Sequence, residues 1–427
     1  MRSRTRWAAL AAAAALALLT GCGGAGGAGG GGGGATPGSP APVPGFDGKT
    51  IKLGVLTALS GPVAVIGNPL LAGTKVWFDA VNAKGGIAGK YKVELVAEDT
   101  QYKTDLTVQQ YNKIKGDVVM IGQSLGTPTT LAILPLLKAD GAMAGAATLD
   151  ALWVREPNLL PVGGPYQVQA INAVNYYLTD GGGSPSDPIC SMIQDDAYGN
   201  AGQAGLDFVA QAKGFTIANT QRFKAGTADY TGAIQALAGA NCKLVFLVAT
   251  PSDAAKIWGK AAQVGFPGKW IGQSPSWINA LAKAPFTPYL QSNVMIVAEG
   301  TEWGDTSVPG MKDMIERQQQ FAPSQEPDYY FAFGYNQGRA LTALLEKAVE
   351  RGDLSKPGLL TASAALGTVS FDGLTGDYQY GPAETRNPPR TSTIFKIDPA
   401  KPFGLATAKY NFTSPEAKAY EFKKANL

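Results

Sequence analysis

A chain of 427 residues, 45% hydrophobic and 16% charged, is long enough for more than one hydrophobic core. It contains no histidine, which excludes Ser-His-Asp and Cys-His catalysis by its own side chains and argues against a zinc enzyme. Setting Arg2, Arg4 and Arg6 apart from the 36 Lys and Arg leaves 33, equal to the 33 Asp and Glu, so no basic footprint for nucleic acid is expected.

Those arginines, an Ala/Leu run and the small residue before Cys22 have the layout of a bacterial export signal over residues 1–21. The run is short and alanine-rich for a spanning helix, which needs about 20 apolar residues. Leu19-Thr20-Gly21-Cys22 resembles a lipobox, which makes Cys22 the expected lipid-attachment site. Two or more acyl chains, at roughly 0.8 kcal/mol per buried CH₂, would then moor the protein to the extracytoplasmic face of the membrane. Residues 22–47 read as that anchor and a flexible tether, because Gly, Ala, Pro and Ser offer little side-chain area to offset ordering. No strand precedes the glycines, so they do not read as a phosphate loop.

Beyond the tether, Ile51–Leu56 reads as a first strand, followed by the loop Thr57–Pro62 and a helix from about Asn68 to Asn82. Gly85-Gly86 marks a turn, Lys92–Ala97 a second strand, Leu106–Ile114 a helix and Val118–Ile121 a third strand. A helix from Thr127 toward Leu137 and a strand near Met143 follow. The rhythm resumes after Gly163-Gly164 with a helix over Gln167–Leu178, a strand over Ile189–Ile193 and a helix over Gly202–Lys213. Strand Thr216–Ala218, helix Tyr230–Leu237, strand Leu244–Val248, helix Ala254–Val264 and strand Trp270-Ile271 complete a second block. Strands separated by helices of this length predict two α/β lobes, each a mostly parallel sheet covered on both faces. Ligands of such sheets sit beyond the carboxyl ends of the strands. Those ends carry small or polar residues in both blocks: Ser60-Gly61, Ser124–Thr127, Ala146–Thr148, Asp195–Tyr198, Thr250–Ser252 and Gln273–Trp277. Cys190 and Cys242 each lie near the start of a strand, compatible with a disulfide or with two buried thiols.

Several segments in this order carry a family resemblance. They are Ile51-Lys52-Leu53-Gly54 leading to Ser60-Gly61-Pro62, Asp79–Gly89, Val119-Met120-Ile121-Gly122, Gly145-Ala146-Ala147-Thr148, Gln194–Gly199 and Tyr335-Asn336-Gln337-Gly338. Together they make the chain resemble the branched-chain amino-acid-binding (Leu/Ile/Val-binding) family of ABC transporter substrate-binding proteins, which have the type I periplasmic-binding-protein fold. The resemblance implies two lobes joined by three crossovers, near 163–166, 294–300 and 368–373. One lobe would take residues 48–164 and 296–369, the other 165–295 and 370–427. It also implies a small-molecule solute captured between the lobes, an ABC permease as partner, and neither cofactor, metal nor chemistry in this chain. A ligand-sensing module of a signalling system is the alternative use of the same fold, and a secreted enzyme a remote one.

The resemblance places a ligand carboxylate near Thr148 and Thr127, with Ser124, Gly126 and Ala146 beside them; the family's usual serine aligns with Gly126. It places Tyr198 over the solute from the second lobe. Ile66 and Tyr330 fall near positions where relatives carry cleft aromatics, and Trp153, Tyr166 and Trp277 are further wall candidates. Thr250 and Ser274 stand where relatives carry a tyrosine and the glutamate that receives an α-ammonium group. Without that carboxylate a buried ammonium loses its main compensation for desolvation. Asp195, Asp196 and Glu299 are the substitutes at hand. The ligand expected is therefore amphipathic: an amino acid, an aromatic or other carboxylate, or an amide.

Overall fold

The computed structural model describes residues 39–423; the expected export segment, Cys22 and the tether up to residue 38 lie outside them. The first lobe begins with β1 (Thr50–Thr57), α1 (Ala64–Ala83), β2 (Lys92–Asp99), α2 (Thr104–Ile114), β3 (Met120–Leu125), α3 (Thr127–Ala139), β4 (Ala144–Ala147) and β5 (Leu159–Leu160). Its sheet is wholly parallel, in the order β2-β1-β3-β4-β5. The chain then crosses to α4 (Tyr166–Thr179), β6 (Ile189–Gln194), α5 (Ala197–Lys213), β7 (Asn219–Phe223), α6 (Thr231–Gly239) and β8 (Leu244–Val248). The second lobe continues with α7 (Pro251–Gln263), β9 (Lys269–Gln273), α8 (Thr287–Asn293) and β10 (Val294–Ala298).

A return to the first lobe supplies α9 (Pro309–Phe321), α10 (Tyr329–Glu350), α11 (Lys356–Ala364) and the hairpin β11 (Thr368–Val369) with β12 (Tyr378–Gln379). The last elements are β13 (Ser392–Ile397), β14 (Leu405–Phe412) and α12 (Pro415–Ala419). The second sheet has the order β14-β13-β10-β9-β8-β6-β7, with the β10–β13 and β13–β14 pairings antiparallel and the rest parallel. This is the expected two-lobed architecture with crossovers. Central strands such as β8, Leu-Val-Phe-Leu-Val and buried throughout, are continuous apolar runs because helices cover both sheet faces.

Several boundaries differ from the sequence expectation. Helix α1 starts at Ala64 rather than Asn68 and holds Pro69 in its interior; the carbonyl that loses its partner belongs to Val65, whose side chain is 42% exposed. Helix α5 starts at Ala197, where the Asp196 side chain accepts from the Gly199 amide, so Asp196 is a cap and Tyr198 lies in the first turn. The strand expected at Thr216–Ala218 instead forms at Asn219–Phe223. Phe215 and Ile217 pack on the core just before it, and the more polar segment takes the exposed sheet edge. Cys190 and Cys242, left open by the sequence, form a disulfide with Cα atoms 5.8 Å apart.

Helices α1 and α10 cross at backbone contact. A Cβ on Gly73 would lie 2.0 Å from the Phe331 carbonyl oxygen, and one on Gly334 2.0 Å from that of Leu70. This approach brings the N-terminus of α10 to the strand ends of both lobes. Asp328 caps that terminus by accepting from the Phe331 amide at 2.6 Å.

The inter-lobe connections meet at one side chain. Glu299, just past β10, accepts from the Gly164 amide at 2.6 Å and from Thr375 Oγ1 at 3.0 Å. The stretch after β12 is held to the first lobe by Tyr380, which donates to the Pro161 carbonyl at 2.6 Å, and by Arg386, which donates to the carbonyls of Glu156 and Leu159 at 2.9 Å each. The chain therefore rejoins the second sheet only at Ser392.

Candidate functional site

The strand ends of the two lobes face one cleft, with about 560 Å³ of space free of protein atoms, counted out to its mouth. Val63, Ile66 and Leu70 of the α1 face, Leu125, Ala147 and Leu149 at strand ends, and Phe333 of α10 give it apolar walls. Five tyrosines, Tyr102, Tyr166, Tyr198, Tyr329 and Tyr330, supply aromatic surface, and Tyr166 and Tyr198 pack edge to face at 5.1 Å. Burial raises the hydroxyl pKa of all five, so these groups stay neutral.

Among the described residues no charged side chain lines the cleft. Asp195 instead meets Arg222 at 3.3 Å on the surface, Asp196 caps α5, and Glu299 ties the crossovers. Among the described residues no cluster of His, Cys, Asp and Glu is placed to hold a metal.

The polar groups divide into committed and available ones. Ser274 donates to Gln169 Oε1 at 3.1 Å, Thr250 to Asp253 Oδ2 at 3.2 Å, and Tyr330 to the Trp277 carbonyl at 2.8 Å. Thr127 and Thr148 meet hydroxyl to hydroxyl at 2.7 Å. That contact consumes one of their two protons and leaves the other free to donate. Thr127 is the first residue of α3, which no side chain caps, so the pair sits at the positive end of a helix dipole. The preceding residue, Gly126, has φ +99°, and a Cβ there would lie 2.3 Å from the Tyr102 ring. A serine at this position is incompatible with that ring, which accounts for the glycine.

The structure brings Ile66, Gly126, Thr127, Thr148, Tyr166, Tyr198, Thr250, Ser274 and Tyr330 to the cleft. It does not bring Ser124, Ala146 or Trp153, and the reason for the first two is strand parity. Neighbouring strand residues face opposite ways, so Leu125 and Ala147 line the cleft while Ser124 bonds Thr130 at 2.9 Å and Ala146 joins the core behind the sheet. Trp153 is fully buried in that same core. Trp277 is likewise core, packed against Trp258 and donating to the Phe403 carbonyl.

Sequence reasoning missed Val63, Leu70, Tyr102, Leu125, Ala147, Leu149, Pro275, Tyr329 and Phe333. Val63, Ile66 and Leu70 stand at the spacing of one helix face, a readable signal. Tyr102, at φ +61°, turns into the cleft from a loop after β2 whose chemistry gives no such signal.

The sequence profile of the family described as "Periplasmic binding protein" matches residues 50–402. The chain belongs to that family. Among solved structures, this periplasmic binding protein is similar to a fatty acid ABC transporter substrate-binding protein from Thermomonospora curvata. The two share 24% identity with a TM-score of 0.83, over 91% of this chain and 98% of that one. It is also similar to a possible leucine/isoleucine/valine-binding protein from Rhodopirellula baltica, with 20% identity, TM-score 0.75, and 86% and 98% of the two chains covered. A branched-chain amino acid ABC transporter protein from Thermus thermophilus with bound valine matches at 14% identity and TM-score 0.73, over 87% and 98%. At these identities the likeness shows a shared type I fold.

Proposed function

We propose that this periplasmic binding protein captures an amphipathic carboxylate that lacks an α-ammonium group and delivers it to an ABC import permease, from a lipid anchor at Cys22. The observation that carries the reading is the division of the cleft: uncharged throughout, apolar and aromatic over most of its wall, with its available hydroxyl donor beside the N-terminus of α3. A carboxylate gains hydrogen bonds from Thr127 and Thr148 and the favourable end of the dipole. An α-ammonium group would enter the same cleft with no carboxylate to meet it, and its desolvation would go uncompensated. The likeness to the Thermomonospora curvata fatty acid protein supports an acid with an apolar body. Closure of the lobes around such a solute creates the surface that a permease reads.

Calorimetry against straight-chain and aromatic acids, with leucine, isoleucine and valine as comparators, tests this. Saturable binding of acids and none of the three amino acids is expected. Micromolar leucine binding would refute it.

A further inference from the structure

A second space of about 360 Å³ free of protein atoms, counted out to its mouth, adjoins the cleft behind Tyr329 and Phe333, which stand four residues apart on α10 and line both spaces. Its other walls include Met311, Met314, Leu374 and Phe403, which suit a flexible methylene chain. Polar groups interrupt them, Thr301, Thr375, Asn336 and Glu299. Asn336, one turn beyond Phe333 on α10, is 4% exposed and its Oδ1 has no hydrogen-bond partner. Glu299 presents its carboxyl from the opposite crossover. The Tyr329 hydroxyl, on the shared wall, is also buried without a partner. An amide oxygen is an acceptor, and a buried acceptor left unpaired is costly; the Glu299 carboxyl already accepts from Gly164 and Thr375.

We propose that this chamber is a subsite for the far end of the cleft ligand, and that the end it takes is a hydrogen-bond donor, a hydroxyl or an ammonium, carried on an unbranched chain. The inference rests on the reading of the cleft as a carboxylate site. The ligand carboxylate stays at Thr127 and Thr148, the chain passes between the displaced side chains of Tyr329 and Phe333, and the donor reaches Asn336 Oδ1 and Glu299. Leu, Ile and Val are excluded on this account because their ammonium sits beside the carboxylate, in the uncharged part of the cleft. Burial pushes the Glu299 carboxyl up to about 7, a rise that an ammonium at its side would oppose.

The test is calorimetry with caproate, caprylate and caprate beside their ω-hydroxy and ω-amino counterparts. At the best-fitting length the ω-substituted acid is expected to bind roughly fivefold tighter than the plain acid, one net hydrogen bond's worth. Which of the hydroxy and amino compounds binds tighter identifies the donor. Asn336→Leu should bring the ratio of the two affinities close to one, and Asn336→Ala, which adds no bulk, should lower the same ratio if the Leu variant does not fold. Plain acids that bind as tightly as substituted ones at every length, or a ratio unmoved by the variants, would overturn this inference and leave the carboxylate reading standing. Failure of every acid to bind would overturn both.

Discussion

Replacing Glu299 with Gln isolates the stability consequence of the carboxyl that ties the crossovers. Desolvation raises its pKa from 4.5 to about 7, against the lowering effects of the Gly164 amide and the Thr375 hydroxyl. The folded protein therefore holds this proton over a range in which the unfolded chain has lost it. The group's contribution is fully present below 4.5 and is lost as pH rises through about 7; a shift of this size corresponds to about 3 kcal/mol. Gln keeps an acceptor for Gly164 and Thr375 and does not titrate. Urea unfolding of the wild type and Glu299→Gln at pH 5 and pH 8 should show a difference that moves in the variant's favour by up to that amount at the higher pH. Asp150, raised to about 6, and Asp328, raised to about 7, both chiefly by desolvation, tilt the wild type the same way but are common to both proteins. A difference independent of pH would refute the assignment of a buried, proton-holding Glu299.

Thr148→Ala should weaken acid binding by roughly fivefold or more through loss of the shared hydroxyl, with Thr148→Ser restoring most of it and urea stability nearly unchanged. Tyr198→Phe should bind as the wild type does, since the hydroxyl's nearest acceptor, the Ala249 carbonyl, is 3.5 Å away. Tyr198→Ala should lose the aromatic wall, seen as weaker binding in a calorimetric titration, and the contact with Tyr166, worth about 1 kcal/mol beyond buried area, seen in urea unfolding. Replacing both Cys190 and Cys242 with Ala opens a 52-residue loop and should cost about 4 kcal/mol in urea unfolding, while acid affinity stays the same because the bridge lies at the strand ends remote from the cleft.

The sequence by itself determined the two-lobed α/β class, because the alternation of apolar strands and helices is a local pattern with a local physical cause. It also named strand ends that the structure brings to the cleft, Thr127 and Thr148 among them. Parity was harder to read: β3 and β4 are buried on both faces, so no polar alternation distinguished Leu125 from Ser124 or Ala147 from Ala146. Only the tertiary structure decided which member of each pair faces the cleft. The same holds for Tyr329 and Phe333, whose place at the cleft depends on two glycines, distant in sequence, that let α1 and α10 touch. The fate of the carboxylates was also tertiary. Asp195, Asp196 and Glu299 look alike as candidates for an ammonium, but an arginine, a helix cap and a crossover amide claim them. Hydrogen-bond partners are settled by which chain segments meet in space, so the cleft's lack of charge could be stated only once the lobes were built.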